Sequence, residues 1–484
     1  MYLGLDLGTS GIKAMLIDDD QVVIGSASGE LDVLRPHSGW SEQKPEDWIR
    51  ATEEAVGELK QKFSKQLSAV KGIGLSGQMH GATLLDDSDT VLRPCILWND
   101  TRSHKQAQIL DADPRFRKVT GNIVFPGFTA PKLAWVRDNE PDCFAKISKI
   151  LLPKDYLRLW LTGEYISEMS DAAGTSWLDT GKRCWSPELL AATDLNEEQM
   201  PSLVEGTEQG GQLRAGLASA WGIDNNVVVA GGAGDNAASA CGMGVVDHGA
   251  AFASLGTSGV LFAATDKYLP KPESAVHAFC HALPNTWHQM GVILSATDAL
   301  NWYSRVAGVS AAELADELGD ALNAPTTVTF LPYLSGERTP HNDAVIRGAF
   351  VGLDRMSDRH ALTQAVLEGV AFAIRDNLEV LKSAGTTIDR VTAIGGGSRS
   401  RYWLVSIATA LGIPVDIPTD GDFGAAFGAA RLGLIAATAA DPLTVCVPPK
   451  TAQTIEPETT LIDAYETAYE RYRSLYPAIR SLAI

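Results

Sequence analysis

Leu7-Gly8-Thr9-Ser10-Gly11 recurs letter for letter as Leu255-Gly256-Thr257-Ser258-Gly259, about half a chain later. Tyr2-Leu3-Gly4-Leu5-Asp6 precedes the first copy and Ile12-Lys13-Ala14-Met15-Leu16-Ile17 follows it. Ala250-Ala251-Phe252-Ala253-Ser254 and Val260-Leu261-Phe262-Ala263 flank the second. Each copy reads as apolar strand, small-residue turn, apolar strand. One reading is an ordinary hairpin turn. The other is phosphate binding, because a turn of Gly, Thr and Ser offers bare backbone amides and hydroxyl donors without bulk. Two such hairpins, one per half, predict an α/β chain with a duplicated fold that grips one nucleotide between its halves.

Size and charge narrow the choice. At typical domain sizes 484 residues make two to four domains, and the repeat favours two large ones. The net charge of −19 argues against nucleic acid and anionic membranes as partners. Positive charge for a phosphate must then come from a few Lys or Arg side chains, amide dipoles and a metal ion. The six cysteines form no CxxC pair, which predicts structural thiols in a reducing cytoplasm. Met1-Tyr2-Leu3-Gly4-Leu5-Asp6 lacks the basic region of a signal peptide, and no apolar run reaches membrane-spanning length. The expectation is a soluble, cytoplasmic protein.

Several stretches carry candidate chemistry. Pro45 and Glu46 open an amphipathic helix with Trp48, Ile49, Ala51, Ala55 and Leu59. Gly72-Ile73-Gly74-Leu75-Ser76-Gly77 matches the dinucleotide pattern GxGxxG, but a strand and a hairpin follow where that fingerprint needs a helix, so it is rejected. The polar insert Gln78-Met79-His80 suits a polyhydroxyl ligand, or else His80 is a satisfied buried histidine. Asn99, Asp100 and Arg102 either line a sugar site or cap the helix starting near Ser103. Residues 167–177, rich in Ser, Asp, Ala and Gly, read as a loop near a cleft. Val227-Val228-Val229-Ala230 runs into Gly231-Gly232-Ala233-Gly234-Asp235-Asn236 and then a helix. Asp235 on that corner is a helix cap or a catalytic group, and the small residues before it favour close approach of a ligand. The first half ends near Asp247-His248-Gly249.

The second half has fewer polar sites. His277 and His281 alternate on one strand face roughly 13 Å apart, too far to share one metal ion. Glu337 and Arg338, in Leu334-Ser335-Gly336-Glu337-Arg338-Thr339-Pro340, read as braces of their own loop. Asp358 caps a long helix. Gly395-Gly396-Gly397-Ser398, between a strand and a helix, lets backbone approach a flat ring or a phosphate. The small-residue helix over 421–430 is expected beneath that loop, and 461–482 forms an amphipathic terminal helix. Gly181-Lys182-Arg183 lacks the glycine-rich approach of a Walker motif.

In order and spacing these pieces resemble the FGGY carbohydrate kinases of the actin-like ATPase superfamily, over essentially the whole chain. The resemblance rests on Asp6-Leu7-Gly8-Thr9-Ser10-Gly11, Gly77-Gln78-Met79-His80-Gly81, Trp98-Asn99-Asp100, the 127–139 stretch and Gly234-Asp235-Asn236. It rests further on Leu255-Gly256-Thr257-Ser258-Gly259, the 348–369 stretch and Gly395-Gly396-Gly397. It implies two ribonuclease-H-like domains with a nucleotide and sugar cleft between them. Residues 1–248 would bind sugar and carry the base, and 249–484 would bind ATP. Asp235 falls at the family's catalytic base and Asp6 at the carboxylate that holds Mg2+. Gly8, Thr9, Ser10 and Lys13 fall by the transferred phosphate, Gly256 and Thr257 by the other phosphates, and Gly396 and Gly397 at the adenosine. Gln78, Met79, His80, Trp98, Asp100 and Asn236 fall at the sugar. The Gln78-Met79-His80-Gly81 form is similar to the branch acting on D-xylulose, so transfer from ATP to its 5-hydroxyl is expected. A related kinase for ribulose, gluconate or another polyol is the alternative, and an actin-like ATPase without a sugar is the reading from another class. The family also suggests a homodimer.

Overall fold

In the computed structural model, which describes residues 1–223, 226–419 and 421–482, each copy of the repeated stretch turns between the first two strands of a seven-stranded sheet. In the first sheet Tyr2–Leu7 pairs antiparallel with Gly11–Ile17, and that with Val23–Glu30. On its other side Tyr2–Leu7 runs parallel to Gly72–Gly77, beyond which lie Val228–Ala230 and Gln209–Gln212. The second sheet repeats the order with Trp287–Ile293, Gly259–Thr265, Ala251–Leu255, Val391–Ile394, Val415–Pro418 and Thr451–Ile455. His277–Cys280 extends it past Trp287–Ile293. This is the duplicated ribonuclease-H-like α/β arrangement. The two turns are not identical: Leu7 pairs with Ile12, whereas Leu255 pairs with Gly259, so the first loop is one residue longer.

Local expectations hold at the long helices. Pro45–Ser68 buries Trp48, Ala51, Ala55 and Leu59 at the helical spacing that covers one face of the first sheet. The Asp358 carboxylate accepts the Ala361 N–H at 2.9 Å and caps Arg359–Ser383. The terminal helix spans Ile462–Arg480 and buries Tyr465, Tyr469 and Tyr472 against the second core. Among the described residues no helix is long and apolar enough to cross a membrane.

The expectation for 421–430 needs correction. The helix Ala425–Thr438 does not lie beneath the Gly395-Gly396-Gly397 loop; it lies on the first sheet. Two glycines explain the choice. A Cβ on Gly74 would sit 1.7 Å from the Ala429 carbonyl oxygen, so the helix backbone rests directly on the strand. At the crossing with the helix Asp235–Met243, a Cβ on Gly428 would sit 1.8 Å from the Ala238 oxygen. In return Asp235–Met243 lays Ala240 and Met243 among Phe252, Phe262 and Met290 of the second sheet. Each half thus packs one helix on the other half, and the division near residue 248 separates two sheets rather than two independent bodies. Buried Arg431 fixes the crossing: its guanidinium donates to the carbonyls of Cys241 (2.9 Å), Gly242 (3.1 Å) and Val447 (3.0 Å), at the negative end of Asp235–Met243.

Candidate active site

Register in the first sheet brings the two aspartates to one edge. Asp6 pairs with Ser76 across the parallel ladder, and Ser76 pairs with Ala233, two residues before Asp235. Both carboxylates therefore emerge at the carboxyl ends of adjacent strands, where ligands of α/β sheets bind. The Ser76 hydroxyl donates to Asp6 Oδ1 at 2.9 Å and leaves the other oxygen uncommitted. Burial raises the Asp6 carboxyl, opposed by Ser76 and by Lys13, its antiparallel partner. Burial, and next the charge of Asp6, push Asp235 up to about 7, against two hydrogen bonds from Asn236 at 2.7 and 2.9 Å. Asp235 opens its helix, so the helix dipole favours its ionised form. Lys13 Nζ is paired with Asp422, which reaches over from the second half.

The first hairpin is held by its carbonyls. Gln43 Nε2 donates to Thr9 O (2.7 Å) and the Leu31 N–H to Ser10 O (3.0 Å). The Thr9 hydroxyl accepts from Trp98 Nε1 (2.9 Å) and donates to Gln78 Oε1 (3.1 Å), while Gln78 Nε2 donates to Gln43 (2.9 Å). Ser10 is left exposed at the tip. The second hairpin is tied the same way: Thr297 takes the Gly256 carbonyl through N–H (2.9 Å) and hydroxyl (2.8 Å), and Ala296 takes that of Thr257 (2.8 Å). The Thr9, Ser10, Gly256 and Thr257 carbonyls are thus committed, as are the Gly8 N–H, given to Gly11 O at 2.9 Å, and the Thr9 hydroxyl. This leaves the amides at the turn tips and the exposed Ser10, Thr257 and Ser258 hydroxyls as the donor set an oligophosphate needs. Gly397 packs against the second turn, where a Cβ would meet Leu255 Cβ at 2.9 Å, and Gly396 beside it is open.

Met79 and His80 lie next to the Asp235 corner. A Cβ on Gly234 would meet Met79 Cγ at 2.9 Å, and one on Gly174 would meet both His80 Cε1 (2.5 Å) and Met79 Cε (3.0 Å). Residues 167–177, expected as a loop, include the short strand Ile166–Glu168 and helix Met169–Ala172, and still wall this pocket. His80 has φ +70, a left-handed conformation uncommon for a side-chain-bearing residue. Its carbonyl is held there by Lys132 Nζ (2.8 Å) and the Thr129 hydroxyl (3.2 Å). Burial pulls Lys132 down to about 7. Burial, then the Lys132 charge, lower His80 to about 3, so its imidazole is neutral. Nδ1 faces the Gly174 carbonyl at 2.7 Å, and a carbonyl only accepts. Nδ1 must carry the proton, which leaves Nε2 as an acceptor. The ring stacks on Phe128 at 4.5 Å.

Some expected contacts fall elsewhere. Asp100 is fully enclosed, its oxygens taken by Arg102 (2.7–3.0 Å) and the Ser41 N–H (2.6 Å), so it has no lone pair to offer a sugar. Asp100 fits neither reading of that cluster: Ser103 is the N-cap of the helix and takes no side-chain cap bond, and the Asp100–Arg102 ion pair instead shapes the loop that presents Trp98. Gln78 is buried, bonds Thr9 and Gln43, and so positions Thr9. Ser76, Gln43, Lys132 and Asp422 were not singled out from sequence. Ser76 sits inside the strand misread by the GxGxxG pattern, and the others act through contacts distant in the chain.

Behind the Asp235 corner lies a sealed ion cluster. Lys154 Nζ reaches Asp155 (2.7 Å), Asp171 (3.1 Å) and Glu168 (3.4 Å), all without exposure. Ser170 Oγ donates to Glu168 (3.0 Å) and accepts the Gly234 N–H (3.0 Å). Arg158 takes the Gly231 carbonyl at 2.5 Å. The loop leading to Asp235 is thus held from behind on both sides.

Residues 1–242 match the N-terminal domain of the FGGY family of carbohydrate kinases, and residues 251–437 match its C-terminal domain. The chain belongs to the FGGY family of carbohydrate kinases. It is 49% identical to a xylulose kinase of Escherichia coli K12 over the full length of both chains. It is 50% identical to a xylulose kinase of Klebsiella pneumoniae over 90% of each. The crystal structure of a xyloylose kinase from Brucella ovis superposes with a TM-score of 0.99 at 70% identity, over 99% of each chain.

Proposed function

We propose that the protein transfers the terminal phosphoryl group of ATP to the 5-hydroxyl of D-xylulose. The observation that carries this is the adjacency of Asp235 to the Met79-His80 loop, through Gly234, at the strand ends that also carry the first hairpin. The names of the whole-length relatives support the choice of sugar.

The chain's own residues supply most of what a loose phosphoryl-transfer transition state needs, which is position and charge. Amides of the two turns hold the phosphates. Lys13 exchanges Asp422 for the charge gathering on the transferred group. His80 Nε2 accepts a sugar hydroxyl and Met79 packs beside the carbon chain. Asp235 takes the proton of the 5-hydroxyl late in the transfer, for which a carboxylate suffices. The other oxygen of Asp6, which accepts no hydrogen bond among the described residues, is a hard donor that would hold Mg2+. When bound, that ion neutralises phosphate charge. Cleft closure excludes water as a competing acceptor, so ATP hydrolysis without sugar is slow. A homodimer rests on family resemblance alone and is read directly by light scattering.

A coupled ADP assay over D-xylulose, ribulose, gluconate and polyols tests the proposal. Turnover highest with D-xylulose is expected. Preference for another sugar gives the related-kinase reading, and ATP turnover indifferent to every sugar gives the actin-like ATPase without a sugar.

A further inference from the structure

Arg338 does not brace its loop. Glu337 does: its Oε1 accepts the N–H groups of Leu294 (3.0 Å) and of Arg338 itself (2.8 Å), and no ion pair joins it to the neighbouring guanidinium. Thr339 anchors the other side through Ala275 O (2.9 Å) and Val292 (3.0 and 3.1 Å). The loop is therefore fixed while the Arg338 side chain is free. Among the described residues nothing accepts a hydrogen bond from it. It crosses from the second half to lie 4.4 Å from the ring of Phe125 in the first. Phe125 packs edge-on against Phe128 (5.6 Å), and Phe128 stacks on His80. The guanidinium is close enough for its charge to act on the imidazoles of His80 and His277, and burial lowers its own pKa. The side chain is partly buried, and its unpaired N–H groups stay open to a ligand.

A chain of contacts runs from Gly234, beside Asp235, through Met79, His80, Phe128 and Phe125 to Arg338. A sugar with its 5-hydroxyl at Asp235 would extend past His80 toward the side of the cleft that Arg338 enters. In a five-carbon 2-ketose the 5-hydroxyl is the ring-closing oxygen, so it is free only in the open chain, whose C2 is a bare carbonyl. A carbonyl only accepts and a guanidinium only donates. Resting on the proposed function, we infer that Arg338, supplied by the nucleotide half, binds the C2 carbonyl of the open-chain ketose and sets specificity for ketoses over alditols.

Arg338→Met and Arg338→Lys test this, with KM for D-xylulose and for ATP and the competitive Ki of xylitol, which has a hydroxyl in place of the carbonyl. In Arg338→Met, KM for D-xylulose is expected to rise about 30–100-fold, while Ki for xylitol moves less than about threefold. KM for ATP, unchanged within about twofold, shows the variant folded. Arg338→Lys, with charge but no fork, falls between. An equal change for xylulose and xylitol, or none for either, overturns the inference. A wild-type protein that does not phosphorylate D-xylulose would instead remove the proposed function beneath it.

Discussion

The hydroxyl of Ser170 accepts the backbone N–H of Gly234 at 3.0 Å, which ties the residue before Asp235 to a sealed cluster of one lysine and three carboxylates. Burial pushes Glu168 and Asp171 up and Lys154 opposes it, while the charges of Asp155 and Glu168 push Asp171 up further. Lys154→Met would strand those charges. The loss of stability expected at pH 7 is about 3–5 kcal/mol by urea unfolding. It should shrink as pH falls, because protonation discharges the carboxylates that lack a partner.

Asp235→Asn should lower kcat by about 10²–10⁴-fold and still bind ATP by titration calorimetry. It should also stabilise the protein at alkaline pH. The folded wild type holds the proton up to about 7, whereas the unfolded chain releases it in the ordinary carboxylate range. Wild-type stability therefore declines between those two values and stays lower above them. The variant should gain at most about 4 kcal/mol at pH 8, less the share screened through the open cleft, and nothing below about pH 4. Unfolding midpoints across pH read both limbs.

Lys132→Met removes the ammonium that holds the His80 carbonyl in its left-handed turn. KM for D-xylulose should rise about tenfold or more with KM for ATP little changed, since the second hairpin is untouched. Equal movement of both would mean a general loosening instead.

Gly428→Ala tests the helix crossing. Its Cβ would fall 1.8 Å from a backbone oxygen that no side-chain rotation can clear. The two crossing helices must separate, and a loss of about 3 kcal/mol or more is expected in thermal unfolding.

Much of this was legible in the sequence because it is local. Glycines before Asp235, the hydroxyl-bearing turns and the cap at Asp358 announce themselves in a few neighbouring residues. What was misread depends on partners far along the chain. The 421–430 stretch showed that it packs closely, but Gly74 and Gly428 together decide against what. Asp100 looked available until Arg102 and Ser41 closed on it. Arg338 looked like a brace because a Glu stood beside it, and only the fold shows that carboxylate turned to Leu294.

The most direct test is a crystal structure with D-xylulose and a non-hydrolysable ATP analogue. The account predicts phosphates contacted by the amides of both turns, Gly8–Ser10 and Gly256–Ser258, with the terminal one and the sugar 5-hydroxyl meeting at Asp235. A triphosphate touching a single turn, or a 5-hydroxyl pointing away from Asp235, would contradict it.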